Sequence, residues 1–262
     1  MADGATRLVI VGGDGSVNEV VNGVVGLGAV ELAVIARGTG WDFVRTFGIP
    51  RDLDQAIDVA LRGAVREIDA GSVTYRTWAG AEAHAHFANV GSAGISGAIA
   101  QRANESSKAL GGKVSYYWAT LAVFVGWQTG EMRVTVGDET RSGRMIDAMI
   151  CNGRFLGGGM MMCPDAEPDD GLFDVLLIGD VTKRDLAFVL PKTYKGKHLP
   201  HPRLELLRGS VVTVEAEEAL PIELDGEQPG TTPARFEVVP RALRLRVPAY
   251  ALGAKGRGEP RP

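Results

Sequence analysis

Leu8-Val9-Ile10-Val11 is an unbroken apolar run, and Val17, Val20 and Val21 follow it at helical spacing. The run predicts a strand over 7–11, and the spacing predicts a helix from Ser16 to about Val25. Leu32 to Ala36 reads as a second strand and Val65 to Ala70 as a third, with helical pieces between them. Asp52, after Pro50 and three residues before Gln55, is a candidate N-cap with a capping-box partner for the helix that carries Ile57 and Leu61. Strands alternating with helices predict a parallel sheet covered on both faces, with ligands at the C-terminal ends of its strands. On this pattern Asp14, the Gly38-Thr39-Gly40 turn with Asp42, and Asp69 fall at or just after strand ends, where they can meet at one site.

Beyond Gly71 the pattern changes to short β-rich runs separated by turns: 72–78, 84–90, 132–136, 144–151, 173–179, 210–216, 220–225 and 235–239. A longer helical interval, roughly Ser96 to Trp127, interrupts them. This is the pattern of an antiparallel sandwich or barrel-like second domain. The expected organisation is a nucleotide-binding-type α/β domain over 1–71, a β-sandwich domain over 72–240, a run at 241–250 that returns to the first domain, and a disordered Gly/Pro/Arg-rich tail over 253–262.

With 45% hydrophobic and 23% charged residues over 262 positions, the composition is that of an ordinary globular chain, long enough for two modest cores or one large one. A formal net charge of −4 provides no overall field to hold a polyanion, so nucleic acid is not an expected partner. Lys and Arg gather at 192–197 and at 255–261, where solvated surface is the simplest reading. Cys151 and Cys163 are too few for a disulfide framework and sit in apolar surroundings. They fit a reducing, cytoplasmic location. The longest apolar stretch, Tyr116 to Trp127, is shorter than the ~20 residues that span a bilayer. A peripheral location on the inner membrane face is compatible with this pattern.

The chemistry concentrates in Gly12 to Gly23, GGDGSVNEVVNG. A tight glycine turn between strand and helix lets backbone amides converge at a helix N-terminus, which favours a phosphate. Asp14 stands against that reading, because a carboxylate about 4 Å from a phosphate is repelled by roughly 4 kcal/mol at an effective dielectric of about 20. A bridging divalent cation removes the conflict. Taken alone, the same segment also fits a glycine-rich βα connection with a solvent-facing acid.

GGDGSVNEVVNG is followed by ARGTGWDFVRTFGIP at 36–50, by CNGRFLGGGMMMCPDAEPDDGLFDV at 151–175 and by LDGE at 224–227. In this order the four segments resemble the diacylglycerol kinase catalytic-domain family, which includes bacterial diacylglycerol and YegS-like lipid kinases. The resemblance covers about residues 7 to 248. It implies an ATP-dependent lipid kinase with an NAD-kinase-like α/β domain, a following β-sandwich and an active site between them. By family pattern Gly12, Gly13, Asp14, Gly15, Ser16, Val17, Asn18 and Glu19, with Gly38 and Thr39, hold the nucleotide. Asp14, Asp42 and Asp69 form an acidic network that organises catalytic Mg²⁺, and Glu227 is the general base for the acceptor hydroxyl. A second, structural Mg²⁺ is implied at the Glu167–Leu172 turn, bound by the Asp170 carboxylate and the Glu167 and Leu172 carbonyls. The implied partners are ATP, a lipid with a free hydroxyl and the membrane surface, with homodimer formation left open. Read without the family, Glu227 and Asp170 are equally ordinary turn acids.

Two features depart from the family pattern. Two βα units usually precede the GGDG strand, so Met1 is expected to be an internal methionine of a longer, N-terminally truncated chain. Trp41 stands where the family commonly has Asn, which removes any amide contact there and leaves a ring that packs in the cleft or stacks on a base. A catalytically silent homologue that binds lipid or a partner through its β domain is the alternative function. Kinase chemistry on a soluble acceptor is a third reading, disfavoured by DDGLFDV and LDGE. His84 and His86 share a strand face, as a solvent-side pair or as two ligands lacking a third. The helix around 116–127 is core packing material that could also line an acyl-chain groove or touch the bilayer, and Met160-Met161-Met162 is adaptable packing material that could form part of an acceptor channel.

Overall fold

The computed structural model describes residues 5–28, 30–105 and 120–252; the tail, Tyr116, Tyr117 and Trp118 lie outside the described residues. Strand β1 (Arg7–Gly12) pairs in parallel with β2 (Glu31–Ala36), in register from Arg7↔Glu31 to Gly12↔Ala36. Helix α1 (Asp14–Val24) connects them and buries Val17, Val21 and Val24. α2 (Asp42–Thr46) and α3 (Leu53–Arg62) follow. Asp52 caps α3 by accepting from the Gln55 amide at 3.0 Å, which is the expected half of the capping box.

β3 (Ala64–Thr77) corrects the sequence reading, which divided it at Gly71. It runs unbroken because β14 (Gly230–Val247) pairs antiparallel with it from Gly230↔Thr77 to Val247↔Ala64. The C-terminal half of β14 also pairs in parallel with β2 at Leu245↔Leu32, while its N-terminal half pairs with β12 (Val211–Ala216). One two-stranded ribbon therefore belongs to both halves of the molecule. Asp69 lies within this ribbon rather than at a strand end.

The second half adds β4 (Glu82–Phe87), β5 (Val90–Gly94), β6 (Gly130–Val136), β7 (Glu139–Cys151), β10 (Phe173–Gly179), β11 (Leu204–Gly209) and β13 (Ile222–Leu224) to the same twelve-stranded sheet. A separate two-stranded hairpin joins β8 (Phe155–Leu156) to β9 (Met160–Met161). Phe87 anchors the sandwich core, 5.7 Å from Phe173 and 6.1 Å from Phe236 between ring centroids. A distinct core under the parallel strands gathers Ile10, Val21, Leu32, Phe43, Ile68 and Leu245.

α4 (Ile95–Glu105), helical residues 120–126 (α5) and α6 (Lys183–Thr193) cover one side of the sandwich. α6 and β11 were not predicted; for α6, the cations around 183–197 mask the inward spacing of Leu186, Leu190 and Thr193. A local signal was present. Thr182 and Asp185 form a reciprocal capping box at the start of α6. No described helix is long and apolar enough to cross a membrane. Cys151 and Cys163 are buried and free. His84 bonds Thr74 Oγ1 at 2.9 Å, and among the described residues neither His84 nor His86 belongs to a cluster of three or more His, Cys, Asp or Glu side chains.

Candidate active site

Gly13, extended at φ −94°, delivers the chain into α1 with no side-chain cap on the first helical turn. The amides there are available to an anion. Gly38 packs against this turn so closely that a Cβ on it would lie 2.7 Å from Gly13 Cα, and Arg37 N–H donates to the Gly12 carbonyl at 2.7 Å. Two loops thus meet backbone to backbone at the ends of β1 and β2.

Asp14 opens α1, and its Oδ1 accepts from the Phe43 amide at 3.1 Å, fastening the start of α1 to the start of α2. Asp42 is buried beside it. Its Oδ2 accepts from Gly158 N–H at 2.7 Å, and its Oδ1 has no hydrogen-bond partner among the described residues. Burial, and then the charge of Asp14, push the Asp42 carboxyl up to about 7 against the opposing pull of Gly158 N–H and Arg45. Gly158 reaches Asp42 because Gly157, Gly158 and Gly159 all take positive φ, 63°, 79° and 111°, a path that glycine follows without steric penalty.

The opposite wall comes from the turn between β13 and β14. Leu224 and Glu227 exchange backbone hydrogen bonds of 2.9 and 3.0 Å, which leaves the Glu227 side chain exposed and facing α1. A Cβ on Gly15 would lie 3.8 Å from Glu227 Oε1. Two carboxylates, Asp225 half-buried and Glu223 buried, hold this turn. Asp225 accepts from the amides of Ala88, Asn89 and Val90 at 2.8, 3.0 and 2.9 Å and from Asn18 Nδ2 at 3.2 Å. Glu223 accepts from the Gly226 amide and from Ser92 Oγ. Burial raises both carboxyls, that of Glu223 well above the usual range.

Asp14, Thr39 and Asp42 from the first half and Asn89, Asp225 and Glu227 from the second line one cleft of about 290 Å³. Gly13, Gly15, Val17 and Gly38 also line it. Gly12 and Ser16 are not among the lining residues. Asn18 is committed to Asp225 and to the His86 carbonyl, and Glu19 points to solvent. Asp69 does not line the cleft: its two carboxylate oxygens accept from Gly171 N–H at 2.8 Å and Arg241 N–H at 2.7 Å. Its separation follows from the unbroken β3, which carries it into the sheet.

A hard divalent cation suits the Asp14–Asp42 pair, because Asp42 Oδ1 is a buried oxygen without a donor and the cleft leaves room for water and phosphate oxygens. The Glu167–Leu172 turn fits a cation less well. Asp170 is ion-paired with Arg208 and accepts from the Leu172 amide at 3.0 Å, so a guanidinium already supplies the positive charge. Trp41 lies outside the cleft lining, its indole N–H donating to the Gly38 carbonyl at 2.6 Å and its ring under the Arg51 guanidinium at 4.4 Å.

An apolar cavity of about 100 Å³ lies behind α4, walled by Phe124 of α5, Met149 of β7, Met160, Met162 and the inner face of α6. Leu156 lines both this cavity and the acidic cleft, so the two adjoin. Asp225 was inside the quoted LDGE segment without a role, and Asn89 carried no sequence signal. Their amide and turn contacts form only once β4, β5 and β13 are assembled.

This is the fold of the diacylglycerol and NAD kinases. A diacylglycerol kinase structure from Bacillus anthracis str. Sterne superposes with a TM-score of 0.68 at 21% identity, over 94% of this chain and 78% of that one. The yeast NADH kinase complexed with NADH gives 0.50 at 12% identity, over 92% and 60%. At the level of sequence, the diacylglycerol kinase catalytic domain model matches residues 1–73, and the YegS C-terminal NAD kinase beta sandwich-like domain matches residues 89–247. The chain belongs to this family of lipid kinases. It is 33% identical over 251 residues to the "Probable lipid kinase YegS-like" of Pseudomonas aeruginosa strain UCBPP-PA14, covering 95% of this chain and 79% of that protein. Against the diacylglycerol kinase of Bacillus subtilis strain 168 it is 26% identical over 243 residues, covering 92% and 77%.

Proposed function

We propose that the chain transfers the γ-phosphoryl group of ATP to a hydroxyl of a lipid such as diacylglycerol. The observation that carries this reading is one cleft with Asp14 and Asp42 on one wall, Glu227 on the other and an apolar cavity adjoining at Leu156. The amides of the Gly13–Val17 turn and Thr39 take the phosphates, since phosphoryl transfer depends mainly on positioning and charge neutralisation. Asp14 and Asp42 hold Mg²⁺, which when bound neutralises charge on the phosphates. Glu227 accepts the proton of the lipid hydroxyl, and its exposed carboxylate is free to reach it. The apolar cavity receives part of the acyl chain.

The test is a label-transfer assay with γ-labelled ATP, Mg²⁺ and separate acceptors: dioleoylglycerol, phosphatidylglycerol, sphingosine and NAD. Label in one or more lipids and none in NAD is the expected outcome. Label in NAD alone, or in no acceptor, would reject the reading.

A further inference from the structure

We propose that α6 is a bilayer-contact helix whose outward face sits on an anionic membrane surface while its inward face walls the cavity that receives the lipid tail. The tail's place in the cavity rests on the lipid-kinase reading above; the membrane contact stands on the surface itself.

Leu186, Val189, Leu190 and Thr193 turn inward and line the apolar cavity. The outward residues are Lys183, Arg184, Phe188, Pro191 and Lys192, followed in the next turn by exposed Lys195 and Lys197. Phe188 is 64% exposed. Arg184 and Lys192 stand four residues before and after it, so the ring has a cation one turn away on each side of the same helix face. α5, which contributes Phe124 to the same cavity, exposes Val125 to 63%.

Charge identifies the occupant. Residues 183–197 carry five cations and one acid in a chain whose net charge is −4. The acid, Asp185, is engaged by the Thr182 amide and hydroxyl at 2.9 and 2.8 Å and faces His201 at 3.6 Å. The five cations have no carboxylate partner among the described residues. A merely solvated face accounts for the lysines but not for an exposed phenylalanine among them. An apolar ring ringed by cations on a helix that lies along the surface is the pattern of interfacial binding to anionic lipid. The arrangement also has a functional consequence. A helix that rests on the bilayer and walls the cavity shortens the path of a tail from membrane to cleft.

Flotation of vesicles through a sucrose gradient, without nucleotide or turnover, tests the contact separately from catalysis. The full chain is expected to partition onto phosphatidylcholine vesicles doped with phosphatidylglycerol and to stay off pure phosphatidylcholine. Lys192→Gln with Lys195→Gln is expected to lower partition on the order of tenfold at low salt and to flatten its salt dependence. Phe188→Ser is expected to weaken partition several-fold while keeping the salt dependence. Both variants should melt as the parent does and keep its activity on lipid dispersed in detergent micelles, since none of these side chains lines the cleft or the cavity. Equal partition onto neutral and anionic vesicles, no partition at all, or unchanged partition of both variants would overturn the proposal. A parent protein that floats but transfers no phosphoryl group would instead reject the kinase reading alone.

Discussion

Asp147 sits at the floor of the apolar cavity, fully enclosed, with its Oδ2 accepting from the Ser96 amide at 3.1 Å and from the Ser96 hydroxyl. It caps α4 from a neighbouring strand. Burial pushes its carboxyl up to about 7 in the folded protein from an ordinary value of 3.8. Between these values the folded chain holds a proton that the unfolded chain has released, so this group makes stability fall as pH rises through that window. Asp147→Asn keeps an acceptor for Ser96 and removes the titration. Denaturant unfolding at pH 5 and pH 8 should show the variant gaining on the parent as pH rises, by up to a few kcal/mol at ~1.4 kcal/mol per pKa unit. Trp41 is the other instructive residue. Its φ of 65° explains why an amide side chain suits this position, since Asn tolerates the left-handed region better than a bulky ring does. Here the indole bond to Gly38 and the Arg51 stack hold the ring instead.

Among the elements, two turns decide the site. Gly38→Ala puts a Cβ against the Gly13 backbone, which has no flexible end to yield, so the two loops at the ends of β1 and β2 must separate. ATP affinity measured by titration calorimetry is expected to fall by about tenfold or more, with a smaller change in melting temperature. The β13–β14 turn depends on Asp225, whose two oxygens serve three amides and Asn18. In Asp225→Asn one oxygen becomes a donor, and at least one buried amide loses its acceptor at about 1–3 kcal/mol. Urea unfolding should register that loss, and turnover should fall more than ATP affinity because the turn carries Glu227. Much of this was legible in the chain. The GGDG turn, the parallel pair, the Asp52 cap and the β-rich second half follow from apolar spacing and glycine placement. What was not legible depends on assembly: β3 and β14 each read as two strands until they support one another, and Asp69 moved from strand end to strand interior for that reason.

At the scale of the molecule, the β3–β14 ribbon runs through both cores and fixes the first half against the second. Arg246, which pairs with Glu31 of β2 and donates to the Gly63 carbonyl, clamps its lower end. β1 stands at the opposite margin of the sheet order, with Val9 and Val11 exposed to 49% and 64%. The two halves that form the cleft are thus joined through continuous strands, and Asp14 and Glu227 line the same cleft as a consequence of that ribbon. The convergence of both halves on a single phosphoryl group is tested most directly by lipid phosphorylation with Glu227→Gln, with ATP affinity measured on the same preparation. Turnover lowered by about 10²-fold or more with ATP affinity unchanged is the expected result; turnover at the parent's level would contradict it.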